Sequence, residues 1–331
     1  MAHPQTLTLA LGAVGRSARP CAHVLRKASA FAALSRLSRV GPSTGAASIA
    51  SLAASCRVIK STRRRMAAQA HTDVGGDVER SGAEKLERIR LLSLDCTGTL
   101  LDWQASIGTL YRRGFLRSGL SPSVVPSADE LDVKFVAAFR EVDRQWPVFG
   151  HKDEVPSFDW WREVASKLIE GTPLQHDAEG FEAGFRSIYS LFQTAEAYRA
   201  YSDALPLLEW ARRVEDLKIC VVSNSTESYQ NAVLPVLGMD EHVDFYVLSK
   251  IEGIEKPDRA VFDLAASRAG VDVKSVLHVG DNLKKDYCGA RAAGCNALLL
   301  QRKASVATTG LEPSVQTINS LSGIRPWLEQ H

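Results

Sequence analysis

What the start of this chain lacks is acid: residues 1–72 of its 331 hold eleven Arg and Lys and no Asp or Glu. The whole-chain charge of +2 therefore averages two unlike parts, because residues 73–331 carry 29 basic and 38 acidic side chains, a net −9. No basic run in that acidic body is longer than the pair Lys284-Lys285. The clustered Lys and Arg that a nucleic-acid backbone requires are thus missing. Also missing is any stretch of about 18 consecutive apolar residues, the length a membrane-spanning helix needs. The six cysteines (Cys21, Cys56, Cys96, Cys220, Cys288, Cys295) form no CxxC pair. A chain this long needs no stapling, so reduced thiols in an intracellular compartment are expected. An apolar content of 45% suffices for one large or two modest domains.

The acid-free opening is rich in Ala, Ser and Arg and is interrupted by Gly and Pro. That is the composition of an organelle transit peptide, expected over residues 1–70, read by an import machinery and then removed. A secretory signal fits less well, since no Lys or Arg precedes an apolar run within Met1–Gly15. A plain disordered basic arm is the alternative. The uncharged Met1–Gly15 points to a plastid and the frequent arginine to a mitochondrion, so both compartments stay open. Residues 71–87, which include DVGGDVERSGAE, read as a linker.

In the body, short apolar runs alternate with helical patterns. Ile89–Asp95, Leu217–Ser223, Val243–Ser249, Val276–Gly280 and Ala297–Gln301 read as buried strands. Helical periodicity covers about 204–215, 226–236, 258–269 and 285–293. Nearly unbroken apolar strands separated by helices imply an α/β fold: a doubly wound parallel sheet with helices on both faces. Ligands of such sheets sit at the carboxyl ends of the strands. Residues 102–203 interrupt the alternation, with no strand signal and with helical stretches such as Ala128–Gln145 and Trp160–Glu170. They read as an inserted, lid-like α-helical domain, leaving 88–101 and 204–331 as the core. Trp103, Trp146, Trp160 and Trp161 are expected to fill the core of that insert.

The polar residues that close the strands carry the chemistry. Asp95 ends the first strand in Asp95-Cys-Thr-Gly-Thr-Leu100, as an exposed carboxylate nucleophile or as a turn residue. Ser223-Asn224 ends the second, able to bind an anion or to cap a helix. Lys256 precedes Pro257 and can neutralise a phosphoryl group or be solvated. Asp281 and Asp286 follow the fourth strand in Gly280-Asp281-Asn-Leu-Lys-Lys-Asp286. With Asp95 they would make an all-oxygen site of the kind Mg2+ prefers; otherwise they cap the next helix.

Taken in order, D-x-x-G-T, a Ser closing the second strand, Lys before Pro, and G-D-x-x-x-x-D resemble the four motifs of the haloacid dehalogenase superfamily. The resemblance spans residues 89–301, and LLSLDCTGTLL with VGDNLKKDYCGARAAG narrows it to one branch. It implies a Rossmann-like core with a helical type 1 cap and a phosphoaspartate mechanism on a small phosphorylated metabolite. Asp95 would be the nucleophile. Mg2+ would be held by Asp95, the Thr97 main-chain oxygen and Asp281, with Asp286 in its outer shell. Ser223, Asn224, Lys256, Gly98 and Thr99 would bind the phosphoryl group. A carboxylate attacking an anionic phosphate needs positive charge on each side, which Mg2+ and Lys256 supply.

The sequence departs from that pattern at Thr97, where family phosphatases usually carry an Asp as general acid and base. Losing that group typically costs roughly 10²–10⁴ in rate. Three functions follow: a slow Mg2+-dependent phosphatase or phosphotransferase, a dehalogenase-type hydrolase using the same nucleophile, or a non-catalytic module binding a phosphorylated ligand or a protein. Family dehalogenases work without metal, which would leave Asp281 and Asp286 unexplained. Trp103, Tyr111, Arg112, Trp146, His151, Trp160 and Trp161 are the candidates for choosing the substrate. Cys96, beside the nucleophile, is either a redox switch or packing.

Overall fold

The computed structural model describes residues 88–302 and 313–330. The expected transit peptide and linker lie outside the described residues. Four consecutive buried residues, Leu91–Leu94, form β1 at the centre of a six-stranded sheet. The other strands are β4 (Lys218–Ser223), β5 (Phe245–Leu248), β6 (Val276–Gly280), β7 (Asn296–Leu300) and β8 (Thr317–Ile318), in the order β5-β4-β1-β6-β7-β8. Every neighbouring pair is parallel. Parallel strands buried on both faces must be apolar throughout, which is why the strands read as unbroken runs. Leu92, Leu94, Val221 and Val279 pack on one face, and Leu91, Cys220, Val222 and Phe262 on the other.

From β1 the chain winds outward through β4 and β5, then returns to the opposite side of β1 for β6. The reversal opens a crevice between the tips of β1 and β6, the place where doubly wound sheets bind ligands. Two of the expected helices are partly wider π turns, Tyr229–Val233 and Leu283–Cys288, each followed by a short α segment.

The structure corrects the strand-free reading of residues 102–203 at both ends. Leu101–Trp103 (β2) pairs antiparallel with Tyr198–Ala200 (β3). Each strand has three residues, too few to show a period of two. The Trp103 and Tyr198 rings, 4.8 Å apart, stabilise the pair from its side chains. Between them stand four longer helices, Ile107–Arg117, Ala128–Gln145, Ser157–Ile169 and Ala178–Leu191. The second begins with a capping box, in which Ser127 and Glu130 satisfy each other's backbone N–H. Their apolar faces meet around Phe115, Phe135, Trp160 and Phe185, with Trp146 and Trp161 packed against that cluster. The tryptophans are core filler, as the sequence implies. No helix among the described residues is long and apolar enough to cross a membrane.

Candidate active site

Asp95 follows β1 directly, and its N–H donates to Val279 O at 2.9 Å, tying the tip of β1 to β6. Lys256, on the loop after β5, is 2% exposed and reaches back under Asp95. Its ammonium has three protons and three acceptors: Asp95 Oδ1, Asp286 Oδ1 and Val222 O, each at 2.7 Å. A buried lysine survives as a cation only when paired this fully. Its backbone is held as tightly. Asn224 Oδ1 accepts from Lys256 N at 2.8 Å, and Asn224 Nδ2 donates to Lys256 O at 2.9 Å.

Asp281 and Asp286 complete the cluster. Carboxylate oxygens of Asp95, Asp281 and Asp286 lie within 4.8 Å of one another. The side-chain cap of the following turn is Asn282, whose Oδ1 accepts from the N–H groups of Lys284 and Lys285, while Asp286 Oδ2 accepts from the Asn282 N–H and so shares in the cap. Gly98 explains the closeness of Asp281: its φ is +86°, and a Cβ there would sit 2.6 Å from Asp281 Oδ2. Only glycine allows that approach.

The charges are unequal, three carboxylates to one ammonium. The ammonium is shared, so Asp95 is only partly compensated. Burial raises its carboxyl pKa, Lys256 lowers it, and the charge of Asp286 raises it again, for a net upward shift. Asp286 goes the other way: burial opposes its ionisation, but Lys256 and the His278 hydrogen bond outweigh that and hold it well below the usual carboxylate range. On Lys256 the two carboxylates outweigh burial, keeping the amine protonated. An all-oxygen set of three acids with a surplus of negative charge fits a hard divalent cation such as Mg2+.

Not every expected ligand is available. Gly98 N–H donates to Leu101 O and Thr99 N–H to Cys96 O, so both amides are committed within the turn. The Thr99 side chain is fully buried. Asn224 spends its amide on the Lys256 backbone and so positions the lysine instead of meeting an anion. Ser223 ends β4 where expected and is buried beside this loop. Thr97 Oγ1 lies 2.7 Å from Tyr229 OH. Cys96 points into the main core and burial pushes its thiol pKa well up, so it is packing, not a switch.

Sequence reading missed four polar contributors. Ser93 and His278 are each fully buried in the apolar strands β1 and β6. The visible signal was a single polar residue in the same place in LLSL and VLHVG. Tyr229 gave none, since a tyrosine at the start of a helix reads as amphipathic filler. Arg302 follows β7 and forms two contacts with Asp203, at 2.8 and 3.0 Å. It also donates to Thr99 O at 2.6 Å and stacks 3.6 Å over the Tyr201 ring.

Among the substrate-choosing candidates, Trp160 and Tyr111 are buried inside the insert and Trp103 packs at its base. Arg112 is half-buried. His151 instead lines a cleft of about 1080 Å³ between insert and core, with Tyr189, Glu227 and Lys250. Four hydrogen bonds cross the gap. Lys250 Nζ donates to Phe149 O and Val155 O, His151 Nδ1 meets Lys250 O at 2.8 Å, and Ser157 Oγ donates to Glu227.

Comparison with known proteins agrees with this fold. The haloacid dehalogenase-like hydrolase family model matches residues 89–294. Human haloacid dehalogenase-like hydrolase domain-containing protein 3 is 30% identical over 69% of this chain and 86% of its own. A phosphoserine phosphatase of Thermus thermophilus is 33% identical over 34% of this chain and 45% of its own. A 2-haloacid dehalogenase of Pseudomonas syringae shares the fold, with a TM-score of 0.53 at 23% identity, covering 73% of this chain and all but 1% of that one, at 99%.

Proposed function

Because the chain belongs to the haloacid dehalogenase-like hydrolase family, we propose that it is a slow, Mg2+-dependent phosphatase or phosphotransferase acting on a small phosphorylated metabolite. One observation carries this reading: carboxylate oxygens of Asp95, Asp281 and Asp286 converge within 4.8 Å of one another, and Asp95 and Asp286 share the buried ammonium of Lys256. A dehalogenase has no evident need for three converging acids, whereas a cation bound by them suits an anionic substrate.

In this reading an Asp95 oxygen forms a bond to phosphorus while the bond from phosphorus to the leaving oxygen breaks. That oxygen takes up a proton, and water later cleaves the aspartyl-phosphate. Asp95, Asp281 and the Thr97 carbonyl would hold Mg2+, which when bound supplies positive charge against the phosphoryl oxygens. Lys256 fixes the rotamer of Asp95 and offsets charge from the opposite side. Its three protons are already engaged, so a phosphoryl oxygen must compete with Asp95 for one of them. Proton transfer is the weak link: the hydroxyl pair of Thr97 and Tyr229 can orient water but exchanges no proton readily near neutral pH. In this reading the four-helix insert is a cap over the crevice; the cleft beside His151 is a separate feature, lined by none of Asp95, Lys256, Asp281 or Asp286.

The test uses the full chain and p-nitrophenyl phosphate. Turnover should need Mg2+, disappear with EDTA, return on adding Mg2+, and be abolished by Asp95→Asn. Activity that survives EDTA would overturn the metal-dependent reading. Beryllium fluoride binding without turnover would favour a module that binds phosphorylated ligands. We further propose import through residues 1–70, with a fluorescent fusion of the full chain deciding between plastid and mitochondrion.

A further inference from the structure

β1 and β6 are paired so that Ser93 lies opposite His278, on a sheet face otherwise lined by Leu91, Cys220, Val222 and Phe262. Both residues are 0% exposed. Two polar side chains in an apolar layer cost stability unless each finds a partner, and a smaller apolar pair would fill the same space. Here they form a chain. Ser93 Oγ lies 2.8 Å from His278 Nδ1, and His278 Nε2 lies 3.2 Å from Asp286 Oδ1.

The partners determine the protons. Asp286 is an ionised acceptor, so Nε2 must carry the hydrogen that faces it. A neutral imidazole then presents Nδ1 as an acceptor, and the Ser93 hydroxyl donates to it. Asp286 is gripped on both oxygens: Oδ1 accepts from His278 and Lys256, while Oδ2 accepts from Asn282 N at 2.9 Å. Gly280 makes room for the carboxylate in this position, since a Cβ there would fall 2.3 Å from Asp286 Cγ.

We propose that His278, held in its Nε2–H form by Asp286 with the Ser93 hydroxyl donating to Nδ1, is the positioning residue that locks Asp286 in the rotamer needed to hold Lys256 under Asp95. The line runs from the floor of the sheet to the nucleophile through Ser93, His278, Asp286, Lys256 and Asp95, with no link longer than 3.2 Å. The catalytic consequence rests on the phosphatase reading; the tautomer and the grip on Asp286 do not. Groups that orient metal-binding carboxylates typically change metal affinity or activity by roughly 10–100-fold when removed.

The experiment compares full-length wild type with His278→Leu, His278→Gln and Ser93→Ala. Nitrogen-15 NMR of the wild type should show His278 protonated at Nε2 and bare at Nδ1; the reverse tautomer would overturn the proposal. Calorimetric titration with Mn2+ alone should show binding weakened about 10–100-fold by His278→Leu. His278→Gln, which keeps an N–H donor towards Asp286, should recover most of that loss. On p-nitrophenyl phosphate, His278→Leu should lower kcat with little change in KM. Equal losses in the Leu and Gln variants would show a packing role only and sink the idea. Ser93→Ala removes the donor to Nδ1 and leaves Asp286 facing Nε2, so the Nε2–H form should persist; a shift to Nδ1–H would overturn the proposal, which remains decidable if His278→Leu fails to fold. Absence of turnover in the wild type would defeat the phosphatase reading, while NMR and Mn2+ binding would still decide the role of His278.

Discussion

Thr97 Oγ1 and the Tyr229 hydroxyl are 2.7 Å apart at the position where the family resemblance implies an acid/base carboxyl. Burial pushes the Tyr229 pKa far up, so its phenol stays protonated and can donate. A carboxylate at position 97 would therefore meet a ready donor. Thr97→Asp should raise p-nitrophenyl phosphate turnover by about tenfold or more, part of the roughly 10²–10⁴ that a positioned acid/base supplies. Adding Tyr229→Phe should remove part of the gain, because the new carboxyl loses its anchor. Steady-state kinetics with saturating Mg2+ measures both, and no gain from Thr97→Asp would argue that position 97 is not what limits the reaction.

Gly98 offers a way to disturb the acidic cluster, and with it the proposed metal site, without touching a carboxylate. At φ +86°, an alanine costs about 1–2 kcal/mol of backbone strain, and its Cβ would press on Asp281 Oδ2. Gly98→Ala should therefore weaken Mn2+ binding well beyond its modest effect on folding. Calorimetry for the metal and urea unfolding for the fold separate the two. An unaltered metal affinity would mean that Asp281 is no ligand.

The strand-end acids and Lys256 were legible because doubly wound sheets deliver their site to known chain positions. Asp95, Lys256, Asp281 and Asp286 all meet where the strand pattern puts them. What stayed hidden was how hydrogen bonds are spent. Gly98 and Thr99 amides look available in a Gly-Thr loop, yet the turn consumes them. Asn224 looks like an anion ligand until its amide is seen across the Lys256 peptide, 32 residues away in sequence. His278 matters because of a strand register, which no local window contains. The strands β2 and β3 escaped for the same reason: their partner lies 97 residues along, as at Asp102 and Arg199.

Lys250 fastens the insert to the core. Its ammonium donates to Phe149 O and Val155 O, within the segment 148–155, where Val148, Phe149 and Glu154 all have positive φ. Such backbone is costly for residues with a Cβ and persists only when other contacts hold it. Lys250→Met should speed hydrogen exchange of amides in 148–155 while leaving β1 and β6 protected. An unchanged exchange rate in that loop would show that His151 and Ser157 alone keep it docked.

Arg302 ties the loop after β1 to the chain returning from the insert, through Thr99 O and Asp203. Burial would raise the Asp203 pKa, but Arg302, the Ser320 hydroxyl and the Leu321 amide outweigh it, and the net shift is downward. A carboxyl depressed in the folded state stabilises the fold above its unfolded pKa of 3.8, and the contribution fades as pH falls through the lower folded value. Arg302→Met should therefore cost about 2 kcal/mol at pH 7, the scale of a charged hydrogen bond lost from a partly buried partner. The gap from wild type should narrow as the pH drops below about 4, where Asp203 takes up its proton in the variant first. Urea unfolding at neutral and acid pH measures it. A gap that stays constant across that range would locate the effect in the stacking of Arg302 on Tyr201, not in its charge.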